Sequence, residues 1–426
     1  MLPPEYFHGK EKRILAIYQE LEDFIMTDIS KRILQTGGMT ATADRLIWKL
    51  TQMGESRAAI EQKLQKLTKM TQPELRRILQ NAVMTSWDND KDILLGIDEN
   101  ISPPLENPEV IAVMDAEFKK TLGELSNLSR TTINQSQRDL INLLDKAEIR
   151  VASGVQSYTT AICDVLDNYA QKGIMVDYPT SGAKRTLEAA VRCCVVTSMN
   201  QTAAQVTNQY IAQAKTNYVL VSAHMGARTA QKGQPPCGDH SSWQGKPYSI
   251  VGSEPGYPNL LENTGYDISP KTGQGTVVDP HGLHGWNCKH SHQPWAKGLR
   301  NPWADEHKID SEENKKIYED TQKQRAMERS IRATKRQLIM KNEEINSDDI
   351  PDSEKEKLRS EYDRMAFKLT KQNKEYNKFC EENNLAAQYY RNKVADFGYK
   401  QQSRANAGAK IFMRAKRGRY GKMGIF

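Results

Sequence analysis

Apolar residues recur at steps of three and four along most of this chain, so its dominant prediction is helix with one buried stripe. Ile14, Ile17, Tyr18, Leu21, Phe24 and Ile25 set the first stripe. Gly37-Gly38 interrupts it, and residues 40–50 and 57–67 resume it. Thr71-Gln72-Pro73-Glu74 has the form of a fresh helix start, with a capping hydroxyl and proline in the first turn. Ile101-Ser102-Pro103-Pro104 and Asn107-Pro108 predict a linker. A long stripe from Leu140 to Tyr169 predicts one helix, ended at Lys172-Gly173. A second helix is expected from Ala183 to Ala214, with Leu187, Val191, Cys194, Val195, Val206 and Tyr210 on one face. Tyr218-Val219-Leu220-Val221-Ser222 then changes period and predicts a short strand.

The pattern breaks down between His224 and about residue 300, where glycine, proline, histidine and tryptophan replace aliphatic stripes. Within that window, Val251 to Pro280 reads as a long loop. Helix resumes near Asp310, with Ser311 as a possible cap and Ile317, Met327, Ile331 and Leu338 as a thin seam. After the turn Asp348-Asp349-Ile350-Pro351-Asp352, Ser353-Glu354-Lys355-Glu356 reads as a capping box. It opens a partner helix carrying Leu358, Tyr362, Met365 and Leu369. The fold class expected is α+β and predominantly α-helical. Its segments are a helical N-terminal region (1–100), a linker (101–135), long paired helices (136–216), a small His/Cys/Trp-rich α+β domain (217–300), a charged helical hairpin (301–400) and a basic tail (401–426).

Composition supports thin helical packing over one thick core: 38% of residues are hydrophobic and 27% charged, with a mean hydropathy of −0.71. The net charge of +7 equals the seven basic residues of the last 26 positions, Arg404, Lys410, Arg414, Lys416, Arg417, Arg419 and Lys422, which include no acid. A fold-wide basic surface for nucleic acid is therefore not supported, whereas a local basic tail is. Arg414, Lys416, Arg417, Arg419 and Lys422 are candidates for contact with nucleic-acid phosphates, against a plain solubilising end. Six scattered cysteines do not form a disulfide framework. The first residues lack a charged-then-apolar leader, and no run approaches the ~18 apolar residues of a membrane span. A soluble protein made in a reducing cytoplasm is expected.

The window from His224 to His292 holds six of the eight histidines and eleven of the 26 glycines. Three kinds of chemistry fit it. Cys237-x-x-His240 and Cys288-x-His290 offer two thiolates and two imidazoles, a set zinc accepts, although Cys-x-His is tighter than usual ligand spacing. Cys288 with His284, His290 or His292, oriented by Asp239 or Asp279, offers a nucleophile, but no oxyanion donors are evident. Alternatively, Trp243, Trp286 and Trp295 build a small aromatic core. Histidines and asparagines then hydrogen-bond the glycine-rich backbone around it, with Cys288 as a buried small hydrophobe. The last reading is favoured.

Three ordered motifs give the window an identity. Ser222-Ala223-His224-x-Gly226-Ala227-Arg228, His240-x-x-Trp243-Gln244-Gly245-Lys246 and Gly282-Leu283-x-Gly285-Trp286-Asn287-Cys288-Lys289-His290 resemble the phage minor capsid protein 2 family, which looks related to the Mu F-like head-morphogenesis proteins of tailed phages. Two flanking segments fit as well: Arg185-x-Leu187-Glu188 through Asn200-Gln201-Thr202, and Gln324-x-x-Met327-Glu328-Arg329 through Lys335-Arg336. The likeness runs from about residue 140 to 390. It implies a low-copy head component at the portal vertex, made in the bacterial host cytoplasm. Portal and/or major capsid protein would be partners, with packaged DNA reached through the basic tail. The role would lie in head morphogenesis and in genome packaging or ejection. No catalytic residue or cofactor transfers with the likeness. The segment from Thr229 to Asp239 departs from the pattern in being long and rich in Pro and Gly, which sets Cys237 apart from the motif residues. The rival class is a virion-carried hydrolase or transferase using Cys288 with a histidine, with or without zinc.

Overall fold

The computed structural model describes residues 1–35, 43–154, 157–178, 182–304 and 309–421, the side chains of 43–47, 158 and 417–421 excepted. It is predominantly helical with small antiparallel sheets, as the periodicity predicts. In chain order the elements are α1 (Lys12–Leu34), α2 (Ala43–Ile97), α3 (Pro108–Ala152), α4 (Tyr158–Lys172), β1 (Met175–Tyr178), β2 (Ala183–Thr186), α5 (Leu187–Gln213) and β3 (Tyr218–Val221). Then follow α6 (His240–Trp243), β4 (Pro247–Ser249), α7 (Leu260–Thr264), β5 (Tyr266–Ile268), β6 (Gly275–Val277), β7 (His292–Trp295), α8 (Ser311–Asn346), α9 (Asp352–Glu382) and α10 (Tyr399–Gly421). They group into two compact units, each assembled from non-consecutive segments.

The first unit comprises Met1–Leu15, Met70–Asn127 and Val191–Gln322. Two apolar clusters hold it. Val83, Trp87 and Leu94 of α2 meet Ile101, Val110 of α3, and Val206 and Tyr210 of α5. The Trp87 and Tyr210 rings lie 4.9 Å apart, and Tyr210 donates to the Ser102 carbonyl at 3.0 Å. The other cluster joins Ile211 to Val219, Val221, Trp243, Tyr248, Leu260, Tyr266, Leu283 and Cys288. Its sheet runs β4-β3-β7, antiparallel throughout, with Val221 opposite His292. The apolar run Tyr218–Val221 takes the centre, and Pro294, which cannot donate to a ladder, lies in the edge strand β7. The expected long loop 251–280 contains α7 and the β5–β6 pair.

The second unit comprises Ala16–Lys69, Leu128–Ala190 and Lys323–Phe426. Its interior holds charge as well as aliphatic side chains. Arg332 pairs with Glu188 at 2.9 Å, Arg336 with Glu22 at 3.6 Å, and Lys341 with Asp167, Glu344 and Glu361. Leu358, Tyr362, Ala366, Leu369, Tyr376 and Cys380 form the buried stripe of α9. Helix α10 packs on it through small residues. Ala405, Gly408 and Ala409 are buried, Phe412 lies 5.3 Å from Phe367, and Arg404 covers the Tyr362 ring.

Several expected boundaries are overturned. Thr71 does not open a helix: α2 runs through Pro73. The segment from residue 108 onward, expected as linker, is the first part of the 45-residue α3. The single helix from Leu140 to Tyr169 is two, because Ser153-Gly154 ends α3 and Ser157 caps α4 by accepting from the Thr160 amide. Its predicted end stands: Gly173 has φ +70° and its amide donates to Tyr169. Residues 183–186 are strand β2, not helix. Asp310, not Ser311, caps α8, accepting from the Glu313 amide at 2.7 Å. Pro351 sits at the start of α9, so Ser353 lies inside that helix. The basic tail is helical as far as Gly421, with Arg414 and Lys416 exposed on α10. The side chains of Arg417 and Arg419, and the whole of Lys422, lie outside the described residues. No described helix is long and apolar enough to cross a membrane.

Candidate functional site

Helix α5 is buried on nearly all sides within the first unit, and its polar residues grip the glycine-rich window. Asn200 Nδ2 donates to the carbonyls of Cys288 (3.0 Å) and His290 (2.9 Å). The next residue, Gln201, donates to the His284 carbonyl at 2.9 Å, and one turn on Gln205 both donates to and accepts from Gly275. Thr197 Oγ1 accepts from the Asn287 amide, and Gln209 donates to Thr272. Spacings of three and four place these groups along one line of the helix. Gln205 and Asn208 are the site residues that the apolar stripe hid, while Asn200 and Gln201 stood in the sequence only as part of a flanking motif.

Two buried clusters follow. In the first, His284 Nε2 lies 2.8 Å from His292 Nδ1, His292 Nε2 lies 2.8 Å from Asn208 Oδ1, and Asn208 Nδ2 donates to Tyr266 Oη at 2.7 Å. An amide oxygen only accepts, so His292 carries its proton on Nε2 and accepts from His284 Nε2. Burial lowers His284 far below the usual imidazole range and His292 to about 3, so both rings are neutral.

The second cluster is His240, Cys288 and His290, whose ligating atoms lie within 4.8 Å of one another. His240 opens α6, and Cys288 and His290 precede β7. The two Nδ1 atoms are 3.3 Å apart, and Cys288 Sγ lies 4.0 Å from that of His240 and 3.7 Å from that of His290. Each Nε2 is held from behind. That of His240 donates to the His281 carbonyl at 2.7 Å, and that of His290 to Gln244 Oε1 at 2.9 Å. The Gln244 oxygen also accepts from the His224 amide at 3.0 Å, which fixes the orientation of its carboxamide. The His224 ring stacks on His290 with centroids 4.4 Å apart. Burial holds the rings neutral, lowering His240 to about 3, His224 to about 4 and His290 well below the usual imidazole range, and pushes the Cys288 thiol up to about 11.

Other motif residues build the walls. Arg228 donates to the carbonyls of His281 (3.1 Å) and Trp286 (2.7 Å), closing the loop between them. Gly226 has φ +75°, and a Cβ there would sit 2.8 Å from Ile317 Cγ2. Ala227 exchanges two hydrogen bonds with Asn314 of α8. Trp243 donates to the Cys237 carbonyl and its ring lies 4.8 Å from His290. Gly245, at φ +71°, fits between Ala223 and Trp303, and Lys246 donates to the Ser242 carbonyl. Asn287 adopts φ +54°, and Gly285 lets the backbone approach Pro280.

Two expectations need correction. Trp243 lies in the apolar cluster and Trp295 is buried in β7, but Trp286 is 40% exposed, so the three tryptophans do not form the one aromatic core expected. Cys237 is not brought to the histidines. Its Sγ lies where a Cβ on Gly265 would meet it, and burial, with Asp279 beside it, raises its thiol above the ordinary range. The sequence places it three residues before His240, but its side chain packs beside Gly265 and Asp279 while its carbonyl accepts from Trp243.

No curated protein and no solved structure matches this chain. The family model described as "Phage minor capsid protein 2" matches residues 2–367, which include every element from α1 to α8, both buried histidine clusters and the start of α9. The chain belongs to the phage minor capsid protein 2 family.

Proposed function

We propose that this protein is a low-copy structural component of a tailed-phage head, seated at the portal vertex and acting in head morphogenesis and in genome packaging or ejection. The observation that carries the reading is the family match over residues 2–367. The buried chemistry agrees with it. A hydrolase or transferase using Cys288 needs a thiolate that a substrate can reach. Cys288 is 1% exposed, its thiol is raised to about 11, and it faces neutral imidazoles rather than an open cleft. Such an arrangement braces a fold. Purified particles from an infection are expected to contain the protein at far fewer copies than the major capsid protein, and tagged portal to retain it. Its absence from purified particles would overturn the proposal.

The basic helix α10 lies beyond the matched region and supplies this chain's contact with packaged DNA in this reading. Contacts with phosphates act through charge and weaken steeply with salt. Replacing both Arg414 and Lys416 with glutamate is expected to weaken binding to random-sequence duplex DNA at least ~10-fold at low salt and to reduce the log–log salt slope by about two. An unchanged slope would assign these residues to solubility alone. Electrophoretic retardation across a salt series reads both quantities.

A further inference from the structure

The geometry points to a zinc site built by His240 Nδ1, Cys288 Sγ and His290 Nδ1. Three observations carry it. First, the separations fit one small tetrahedral ion. Zn–N bonds of about 2.0–2.1 Å and a Zn–S bond of about 2.3 Å set N···N at about 3.3 Å and S···N at about 3.6 Å. The chain presents 3.3 Å between the nitrogens and 3.7 and 4.0 Å from sulfur to each.

Second, both imidazoles are turned with their lone pairs inward. Their Nε2 atoms each donate to an oxygen that only accepts, the His281 carbonyl and the Gln244 carboxamide. Both Nδ1 atoms are therefore bare, and they face each other across 3.3 Å in a buried place. The single proton of Cys288 can serve one of them. The other acceptor is left opposite a like partner, which is costly inside a protein and which a cation between them resolves. Third, a backbone carbonyl and a carboxamide behind metal-bound imidazoles are the usual outer support of such a site, fixing tautomer and ring orientation. Gln244 is itself fixed by the His224 amide.

On binding, the ion takes the Cys288 thiolate and two neutral imidazoles, and the thiol proton leaves to solvent. Two nitrogens and one sulfur select zinc over the harder oxygen-seeking cations. The ion would pin α6 to the strand entry at residues 288–290, where two distant segments of the first unit meet. The ligand set differs from the one the sequence offers, since Cys237 is not part of it.

The untagged full chain, purified without added metal, is expected to retain about one equivalent of zinc. Chelation followed by cobalt(II) should give thiolate-to-cobalt charge transfer and the intense visible bands of a tetrahedral site. Cys237→Ser should keep both signals, and Cys288→Ser should lose the charge-transfer band. Gln244→Ala should weaken zinc affinity roughly 10–100-fold, as loss of an outer partner does. Zinc-edge X-ray absorption on the unaltered chain tests the site independently of how Cys288→Ser folds: one sulfur at about 2.3 Å and nitrogen or oxygen neighbours at about 2.0 Å are expected. Less than about half an equivalent of zinc with no cobalt band, a zinc shell without sulfur, or a charge-transfer band that survives in folded Cys288→Ser would each overturn the site.

Discussion

Alanine at Gly285 is expected to unfold the His/Trp window of the first unit while leaving most helix intact. The added Cβ would lie 2.2 Å from the Pro280 carbonyl oxygen and 2.6 Å from its carbon. That carbonyl already accepts the Trp286 amide at 2.7 Å, so it cannot swing away without losing a bond. Overpacking against side chains costs about 1–3 kcal/mol because they can yield. Here the obstacle is backbone on one side and the Cys288-to-Gly285 hydrogen bond on the other, so a loss above about 3 kcal/mol is expected. Gly282→Ala should behave alike, since its Cβ would stand 2.0 Å from the Thr264 carbonyl oxygen, which accepts the Leu283 amide. Gly256→Ala is the control. It has φ +83° but open space around it, so it carries only the cost of a left-handed conformation, about 1 kcal/mol. Near-ultraviolet circular dichroism and tryptophan fluorescence during thermal unfolding report on the window, because Trp243 and Trp295 are buried there. A Gly285→Ala transition that matches the Gly256→Ala control would refute the close-approach argument.

The helical character, the strand before His224, the stop at Gly173 and the grouping of Cys288 with His240 and His290 were all legible in the sequence. What escaped has identifiable physical causes. Pro73 looks locally like a helix start, since it lacks an amide that a first turn does not use. Thr71 and Leu75 are buried on either side of it, and packing carries α2 through. Pro103-Pro104 and Asn107-Pro108 predict a linker, but Pro108 fits the first turn of a helix, and the Ser and Thr that follow, which can compete with the backbone, do not break it. In α3 those hydroxyls return to the helix's own carbonyls: Thr121 to Glu117, Ser126 to Leu122 and Thr132 to Leu128, each at 2.8 Å. Helix α10 was masked by its charge, because its contact stripe is Ala405, Gly408 and Ala409 rather than large aliphatics. In α5 the residues that organise the site are amides, to which hydrophobic periodicity is blind. Cys237 shows the converse error, in which closeness along the chain suggested a ligand that the fold directs elsewhere.

Lys341→Met is expected to be the most damaging single change in the second unit, and its damage should depend on pH. The Lys341 side chain is 1% exposed and its ammonium contacts Asp167 at 2.8 Å, Glu344 at 3.0 Å and Glu361 at 3.2 Å. One cation thus serves three carboxyl groups, and Glu344 is fully buried beside it. Desolvation pushes Glu344 up to about 7, against the attraction of Lys341 and with repulsion from Asp167. The carboxylates in turn raise Lys341, which stays charged. A carboxyl group raised on folding binds an extra proton in the native state. Its favourable contribution is complete below about pH 4.5 and is lost as pH rises through about 7, by about 3 kcal/mol across that interval. Glu344→Gln should remove this part of the pH dependence and leave the part due to Asp23, another buried carboxyl raised to about 7. Without Lys341 the carboxyl groups face one another uncompensated. A loss of about 3–5 kcal/mol is expected near pH 8, where breaking a buried pair strands ionised partners. Near pH 5 the loss should shrink, because a protonated Glu344 no longer needs the cation. Urea denaturation of both variants and of the parent chain from pH 5 to 8 measures these differences. A Lys341→Met penalty that is the same at both ends would mean that Glu344 is ionised throughout and that the ammonium acts only as a packing stem.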